Sequence, residues 1–444
     1  VLDIIAFIIG VVIAILGLAI SIALHECGHL FFAKKFGVRV PQYMVGFGPT
    51  LWSRTKGETE YGIKAIPLGG YVSMIGMYPP RAGEKVGAQS TGFVSQLIED
   101  GRQASAESIP PGEEHRAFYK LPVWKRLLVM FGGPLMNFVV AILCYMIVAT
   151  GFGVYQPSTT IAGVYQCVAT AAERQDPNAD DCPEPGPAYA AGLQPGDRVV
   201  SVDGTPVTSW DQLQSIIRVS TDQTLAFEVD RGEATLNLEV TPRANEIRVI
   251  DDLTGEYVLD EAGEPKTETV GFVGFTSQRE RQHESPLYAF ELAEMQARGV
   301  VNVIITMPQR VADMFAAGFL GAERDPNGPV SVVGVGIITG QIAQQHEVPI
   351  VDRAATMVGL VAAVNVALGL MNLIPLPPLD GGHIAAALWD GLRKFFARLF
   401  GKPEPAPFDA AILLPVTIVV SGILMLIGAL FIFTDIVNPI QLFG

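Results

Sequence analysis

The chain has 444 residues, of which 49% are hydrophobic and only 17% charged, and its mean hydropathy is +0.35. That balance excludes a wholly soluble or disordered chain and indicates a polytopic membrane protein carrying soluble parts. A formal net charge of −15 gives no support to a nucleic-acid partner.

In chain order, residues 1–34 form the first expected span. Ile4 to Leu24 contain no charged side chain, and the apolar run continues to about Ala33; a spanning helix needs roughly 20 such residues. No small-residue cleavage site follows, so the segment is read as retained rather than as a signal peptide. The start at Val1 leads to the expectation of a trimmed or omitted initiator methionine. Residues 35–77 alternate apolar and polar positions with Gly and Pro punctuation, as in Tyr61-Gly-Ile-Lys-Ala-Ile, and read as short strands and hairpins. Residues 78–119 are polar and irregular, a cytoplasmic loop with a short helix over Gly92–Gln103, read as a linker in preference to a gate. The second span covers 120–150, around the uncharged run Leu127–Ala149.

The large region that follows contains Gly186-Pro-Ala-Tyr-Ala-Ala-Gly-Leu193-Gln-Pro-Gly-Asp197 and a strong hairpin turn at Asp203-Gly204. A helix is expected over Ser209–Arg218 and strands over Leu225–Val229 and Ala234–Val240. Residues 285–321 hold apolar positions at helical spacing and read as an amphipathic helix on the outer membrane surface; Gly299–Met307 is too short for a span, and Arg310 and Asp313 follow it. The third span covers 353–384, around Ala354–Leu376, and the fourth 409–435, around Ala410–Thr434.

Charge then orients the chain. Residues 34–126 carry 13 Lys/Arg against 8 Asp/Glu, whereas residues 151–352 carry 12 against 30. Positive connections stay cytoplasmic, which puts both chain ends and the acidic region outside. Cys167 and Cys182 fall in that region, where a disulfide is chemically allowed.

His25-Glu26-Cys27-Gly28-His29 closes the first apolar run. Histidines at i and i+4 share a helix face and suit one zinc ion, and the intervening glutamate suits a general base. Ionisable groups within a span are costly and functional by default. Far along the chain stands Asn372-Leu-Ile-Pro-Leu-Pro-Pro-Leu-Asp380-Gly-Gly-His383. The first and third spans both run inward, so His25, His29 and Asp380 reach a similar depth. Three protein ligands with an open fourth position are the pattern of a catalytic zinc.

At this point the chain resembles the site-2 proteases, zinc metalloproteases that cleave within the membrane: HExxH in one helix and NxxPxPxLDG in a later one are their joint signature. Val45-Gly-Phe-Gly-Pro-Thr-Leu-Trp52 and Ile66-Pro-Leu-Gly-Gly-Tyr71 resemble the family's membrane-associated β-hairpin region. Gly132-Gly-Pro-Leu-Met-Asn137-Phe resembles the start of its second core helix, and Gly328-Pro-Val-Ser331 the segment before its third. The acidic region, 161–280, resembles a PDZ domain, and the chain is similar to the regulator of sigma-E protease type with a single PDZ domain, particularly actinobacterial members.

The resemblance implies a fold of four transmembrane helices, a membrane-associated β-hairpin region and an extracytoplasmic PDZ (α+β) domain, in a bacterial cytoplasmic membrane. It implies His25, His29 and Asp380 as zinc ligands, Glu26 as catalytic base, and Asn372 as the group holding the substrate backbone or oxyanion. His383 is read as structural or supporting, and Cys27 as packing. Gly46, Phe47, Gly48, Gly69 and Gly70 are expected to meet an extended substrate by strand addition, against the alternative of a structural ribbon. The expected substrates are transmembrane segments of single-span proteins, anti-sigma factors or signal-peptide remnants, trimmed beforehand by another protease. The PDZ region is read as a size filter before a peptide receptor. Two rivals remain at this stage, a catalytically inactive PDZ scaffold and a zinc transporter.

Overall fold

The structure, a computed structural model, describes residues 2–79, 93–167, 185–250, 257–260, 263–325 and 328–440. It divides into two compact units: residues 1–148 with 285–444, and residues 149–284.

The first unit is built on α1 (Leu2–Lys35), an uninterrupted helix of 34 residues. At 1.5 Å per residue it is about 50 Å long, more than a bilayer's hydrocarbon core. Ile5, Ile8, Ile9, Val12, Leu16 and Ile20 are exposed along it, a continuous apolar surface of the kind that faces lipid. Four helices in all are long and apolar enough to span: α1, Val123–Phe152, Ile350–Asn372 and Ala410–Val437. These are the four apolar runs of the sequence.

After α1 comes a curled hairpin, β1 (Gln42–Lys56) and β2 (Thr59–Ser73), turning at Gly57, whose φ is +65°. Gln42–Val45 pair with Glu60–Ile63 on one side and with Gly70–Ser73 on the other. The end of β2 therefore folds back as an outer strand. Next is α2 (Phe93–Glu107), where a short helix over Gly92–Gln103 was expected within the loop. It is fixed towards its C-terminal end: Ser105, and Ser108 just beyond it, accept from the Tyr78 and Gly76 amides, and Arg102 pairs with Asp409. Its polar groups thus pair with distant parts of the chain.

Helix α3 (Val123–Met146) continues through a π-helical turn, Ile147–Phe152. It crosses α1 where Gly28 and Gly132 face each other: a Cβ on Gly132 would lie 2.8 Å from Phe32 and against the Gly28 carbonyl. Small residues permit such backbone approach between membrane helices.

In the second unit, β3 (Val154–Val164), α4 (Pro187–Ala190), β4 (Arg198–Val202), β5 (Thr205–Pro206), α5 (Trp210–Val219), β6 (Leu225–Arg231), β7 (Ala234–Val240), β8 (Arg243–Arg248), β9 (Thr267–Phe272) and β10 (Phe275–Gln282) follow in order. An antiparallel sheet runs β10-β3-β4-β6-β7 with β5 on β4, and β8-β9 form a separate pair. Ile161, Val199, Leu213, Phe227 and Val229 make its core. The Asp203-Gly204 turn takes the expected positive φ angles, Ser209 caps α5 by accepting from the Gln212 amide, and β7 has the expected bounds. Cys167 is disulfide-bonded; Cys182 lies outside the described residues.

The chain then returns to the first unit. Residues 285–321, expected as one surface helix, form α6 (Tyr288–Ile305) and α7 (Met307–Phe319). Pro308 sits in the first turn of α7, where its missing N–H costs nothing. Ala289, Leu292, Ala293 and Ala297 of α6 pack with Ala141 and Tyr145 of α3 and with Ala362 and Val366, so small residues draw it against the bundle. Unexpected from sequence, α8 (Val332–Gln344) packs on α1 with Gly340 against Phe7.

Helix α9 (Ile350–Asn372) ends before the proline-rich stretch, and α10 (Asp380–Leu399) begins afresh at Asp380. The expected third segment, 353–384, is thus a helix, a break and a second helix, because Pro375, Pro377 and Pro378 cannot continue the ladder. Helix α11 (Leu414–Val437) closes the unit, with Asp435 accepting from Arg324 and from the Ser331 amide.

Candidate metal centre

Three elements meet at one point. Helix α1 brings His25 and His29 on one face, and α10 brings Asp380 in its first turn. His25 Nε2 and His29 Nε2 are 3.2 Å apart, and each is 3.3 Å from Asp380 Oδ2. A tetrahedral ion with bonds of about 2.0–2.1 Å spaces its ligand atoms about 3.3–3.4 Å apart. The triangle already has that edge. It is also the single cluster of potential metal ligands of this kind among the described residues. Three lone pairs converge here, and Asp380 Oδ2 is buried without a hydrogen bond. A cation at the centre would relieve this convergence, and two imidazoles with one carboxylate suit zinc.

The surroundings hold these three side chains in place. His29 Nδ1 donates to the Val129 carbonyl at 2.8 Å, which leaves Nε2 as the free donor atom. Gly133, one turn further along α3, lies under both imidazoles: a Cβ there would stand 2.7 Å from His25 Nε2 and closer still to His29 Nε2. Behind Asp380, Gly381 and Gly382 pack on the backbone of Leu373–Pro377, where a Cβ on Gly382 would meet Pro377 at 2.5 Å. Further along α10, the fully buried Asp390 pairs with Arg126 of α3 and accepts from the Phe408 amide, anchoring the helix that carries the carboxylate.

Glu26 is half-buried beside the histidines, within Coulombic reach of His29, His25 and Asp380. Asn372, the last residue of α9, makes no hydrogen bond among the described residues and is half-buried. Its amide is free to take a partner. Among the five hairpin residues, Gly70 adjoins the site: a Cβ there would meet Glu26 Cγ at 2.9 Å and Ile22 Cγ2 at 3.2 Å. Gly46, Gly48 and Gly69 have φ of +94°, +84° and +115° and, with Phe47, pack within the hairpin. His383 stands one turn beyond Asp380 and is outside the three-ligand group. Cys27 is a free thiol.

Against known proteins, peptidase family M50 matches residues 13–403. The chain belongs to peptidase family M50. The zinc metalloprotease Rip1 of Mycobacterium tuberculosis is 34% identical over 98% of this chain and 99% of its own. Rip1 of Mycolicibacterium smegmatis is 33% identical over the same shares, and the metalloprotease MmpA of Caulobacter vibrioides is 27% identical over 92% and 91%. This M50 peptidase is a zinc-dependent metalloprotease and a membrane protein, and its family implies membrane-protein substrates. An inactive scaffold and a transporter are thereby set aside.

Sequence reasoning gave no role at the site to Val129, or to Gly133 and Asn137 of the Gly132–Phe138 motif, which lie four residues apart on the stripe of α3 facing the histidines. Asn137 carried a signal, as a polar side chain inside an apolar span. A backbone carbonyl and a glycine carry none until the helix crossing is known.

Proposed function

We propose that this metalloprotease cleaves transmembrane segments of single-span proteins in regulated intramembrane proteolysis, with His25, His29 and Asp380 holding the zinc. The reading is carried by the ligand triangle, whose edges of 3.2–3.3 Å lie at the end of an apolar helix with a glutamate beside it. When bound, zinc supplies a Lewis acid and makes the attacking water a nucleophile near neutral pH. Glu26 takes the proton of that water and later passes it to the leaving amine. Asn372, with its amide unengaged, donates to the carbonyl oxygen as negative charge grows there. The substrate, unwound at the cut, extends along the outer strand Gly70–Ser73, which brings its backbone against Glu26. Gly46, Phe47, Gly48 and Gly69 shape this strand's curvature.

The same reading makes the four apolar helices transmembrane, with the hairpin on the cytoplasmic side of a bacterial cytoplasmic membrane. The 149–284 unit is a PDZ domain outside, in keeping with its acidity and with the disulfide at Cys167. It acts mainly as a size filter selecting substrates already trimmed by another protease. Glu26→Gln tests the chemistry: zinc content is retained and cleavage falls by about 10²–10⁴-fold. Retained cleavage refutes the assignment. Deleting the 149–284 unit tests the filter, which predicts new cleavage of untrimmed substrate. Untrimmed substrate left intact, with trimmed substrate still cut, refutes it.

A further inference from the structure

Each imidazole of the metal site has a second nitrogen facing away from the ligand triangle. For His29 that nitrogen is held by a backbone carbonyl, Val129 O at 2.8 Å. For His25 the neighbour is the side chain of Asn137, with Nδ2 3.1 Å from His25 Nδ1. Asn137 is fully buried, and its Oδ1 has no partner among the described residues. The two facts belong together. A neutral imidazole that offers Nε2 to a metal carries its proton on Nδ1 and needs an acceptor there. An amide N–H directed at that proton sets donor against donor and strands the oxygen. A half-turn of the amide exchanges two groups of nearly equal size, pairs Oδ1 with the Nδ1 proton, and turns Nδ2 to where the oxygen stood, replacing the donor–donor clash beside the ligand.

We propose that Asn137 is the positioning residue of His25: its side-chain oxygen accepts the Nδ1 proton and so presents Nε2 to zinc. The proposal rests on His25 being a ligand. Helix α3 then provides a matched pair of holds one helical stripe long. Val129 fixes His29, Asn137 fixes His25, and Gly133 between them leaves the room in which both rings lie. The difference between the two holds is consequential. A backbone carbonyl cannot be mutated away or rotated, whereas the Asn137 side chain can be changed without altering either helix. Asn137 touches neither the ion nor the substrate, and its effect passes through the orientation and tautomer of His25.

The test uses the full chain purified in detergent, with zinc affinity measured by chelator competition and the Co²⁺-loaded protein read by its visible absorption. Asn137→Leu keeps the volume and removes the acceptor. Asn137→Asp keeps an acceptor and removes the donor. The expected result is zinc binding about 10–100-fold weaker in Asn137→Leu, with an altered cobalt band, and near wild-type affinity and band in Asn137→Asp. Wild-type affinity in the leucine variant overturns the proposal. So does an aspartate variant that binds as weakly as leucine, since that pattern belongs to an amide donating to His25 or merely packing. If the leucine variant does not stay monodisperse, the aspartate variant alone decides, by keeping or losing zinc. His25→Ala run alongside separates the two levels: full zinc affinity there removes the ligand assignment itself.

Discussion

Gly133→Ala is the sharpest perturbation of the site that leaves His25, His29 and Asp380 unsubstituted. The added Cβ would lie 2.7 Å from both Cε1 and Nε2 of His25, and against His29 Nε2. Ordinary van der Waals contact begins at 3.4 Å, so His25 Nε2 must retreat by about 0.7 Å. Zinc bond lengths tolerate about 0.2 Å. Moving α3 away instead would open the close Gly28–Gly132 crossing one residue earlier and lose its packing on α1. The displacement therefore falls on the ligands. The expected loss of zinc affinity exceeds the roughly 100-fold reached by outer-sphere substitutions, or about 2.7 kcal/mol. Chelator competition on purified protein measures it, with Gly359→Ala as a control, since nothing lies within 4 Å of a Cβ there. Stoichiometric zinc at wild-type affinity in Gly133→Ala, with the control also normal, would refute this geometry.

Asp390→Ala leaves the buried Arg126 without its carboxylate and is expected to cost about 3–5 kcal/mol, read as a lowered thermal midpoint in detergent. The double change Arg126→Met with Asp390→Leu recovers most of it, and a neutral single variant would contradict the pairing. In the 149–284 unit, burial would raise the Asp197 carboxyl, but Arg231 and the Gln194 amide outweigh it and hold it below the usual carboxylate range. A depressed folded-state value means that the stabilisation is complete above the unfolded value of about 3.9 and is lost as pH falls through the folded value. Unfolding followed at Trp210 should therefore become easier below about pH 4, and Asp197→Asn should flatten that limb. An unchanged acid limb in the variant argues against it.

The cluster of His25, His29 and Asp380 was legible in the sequence because two of its members share one helix turn and the third follows a proline-rich break, so local patterns name all three. The four apolar runs and the α5, β6 and β7 elements were legible for the same reason, periodicity over a few residues. Helix α2 was legible as a short helix, but its anchoring was hidden because its polar groups find partners far away, Arg102 with Asp409 and Ser105 with Tyr78. Helix α10 was hidden by the apparent continuity of 353–384, and α8 by its short apolar run. Most telling is the stripe Val129, Gly133 and Asn137. Its role depends on a helix crossing set by Gly28 and Gly132, and a contact made by the absence of a side chain has no signature along the chain.

Anomalous diffraction at the zinc edge, from the full protein, tests the metal centre most directly. One peak is predicted, bound by His25 Nε2, His29 Nε2 and Asp380 Oδ2 at about 2.0–2.2 Å, with no other protein atom in the coordination sphere. An ion ligated by His383, or one lying away from Asp380, would contradict it.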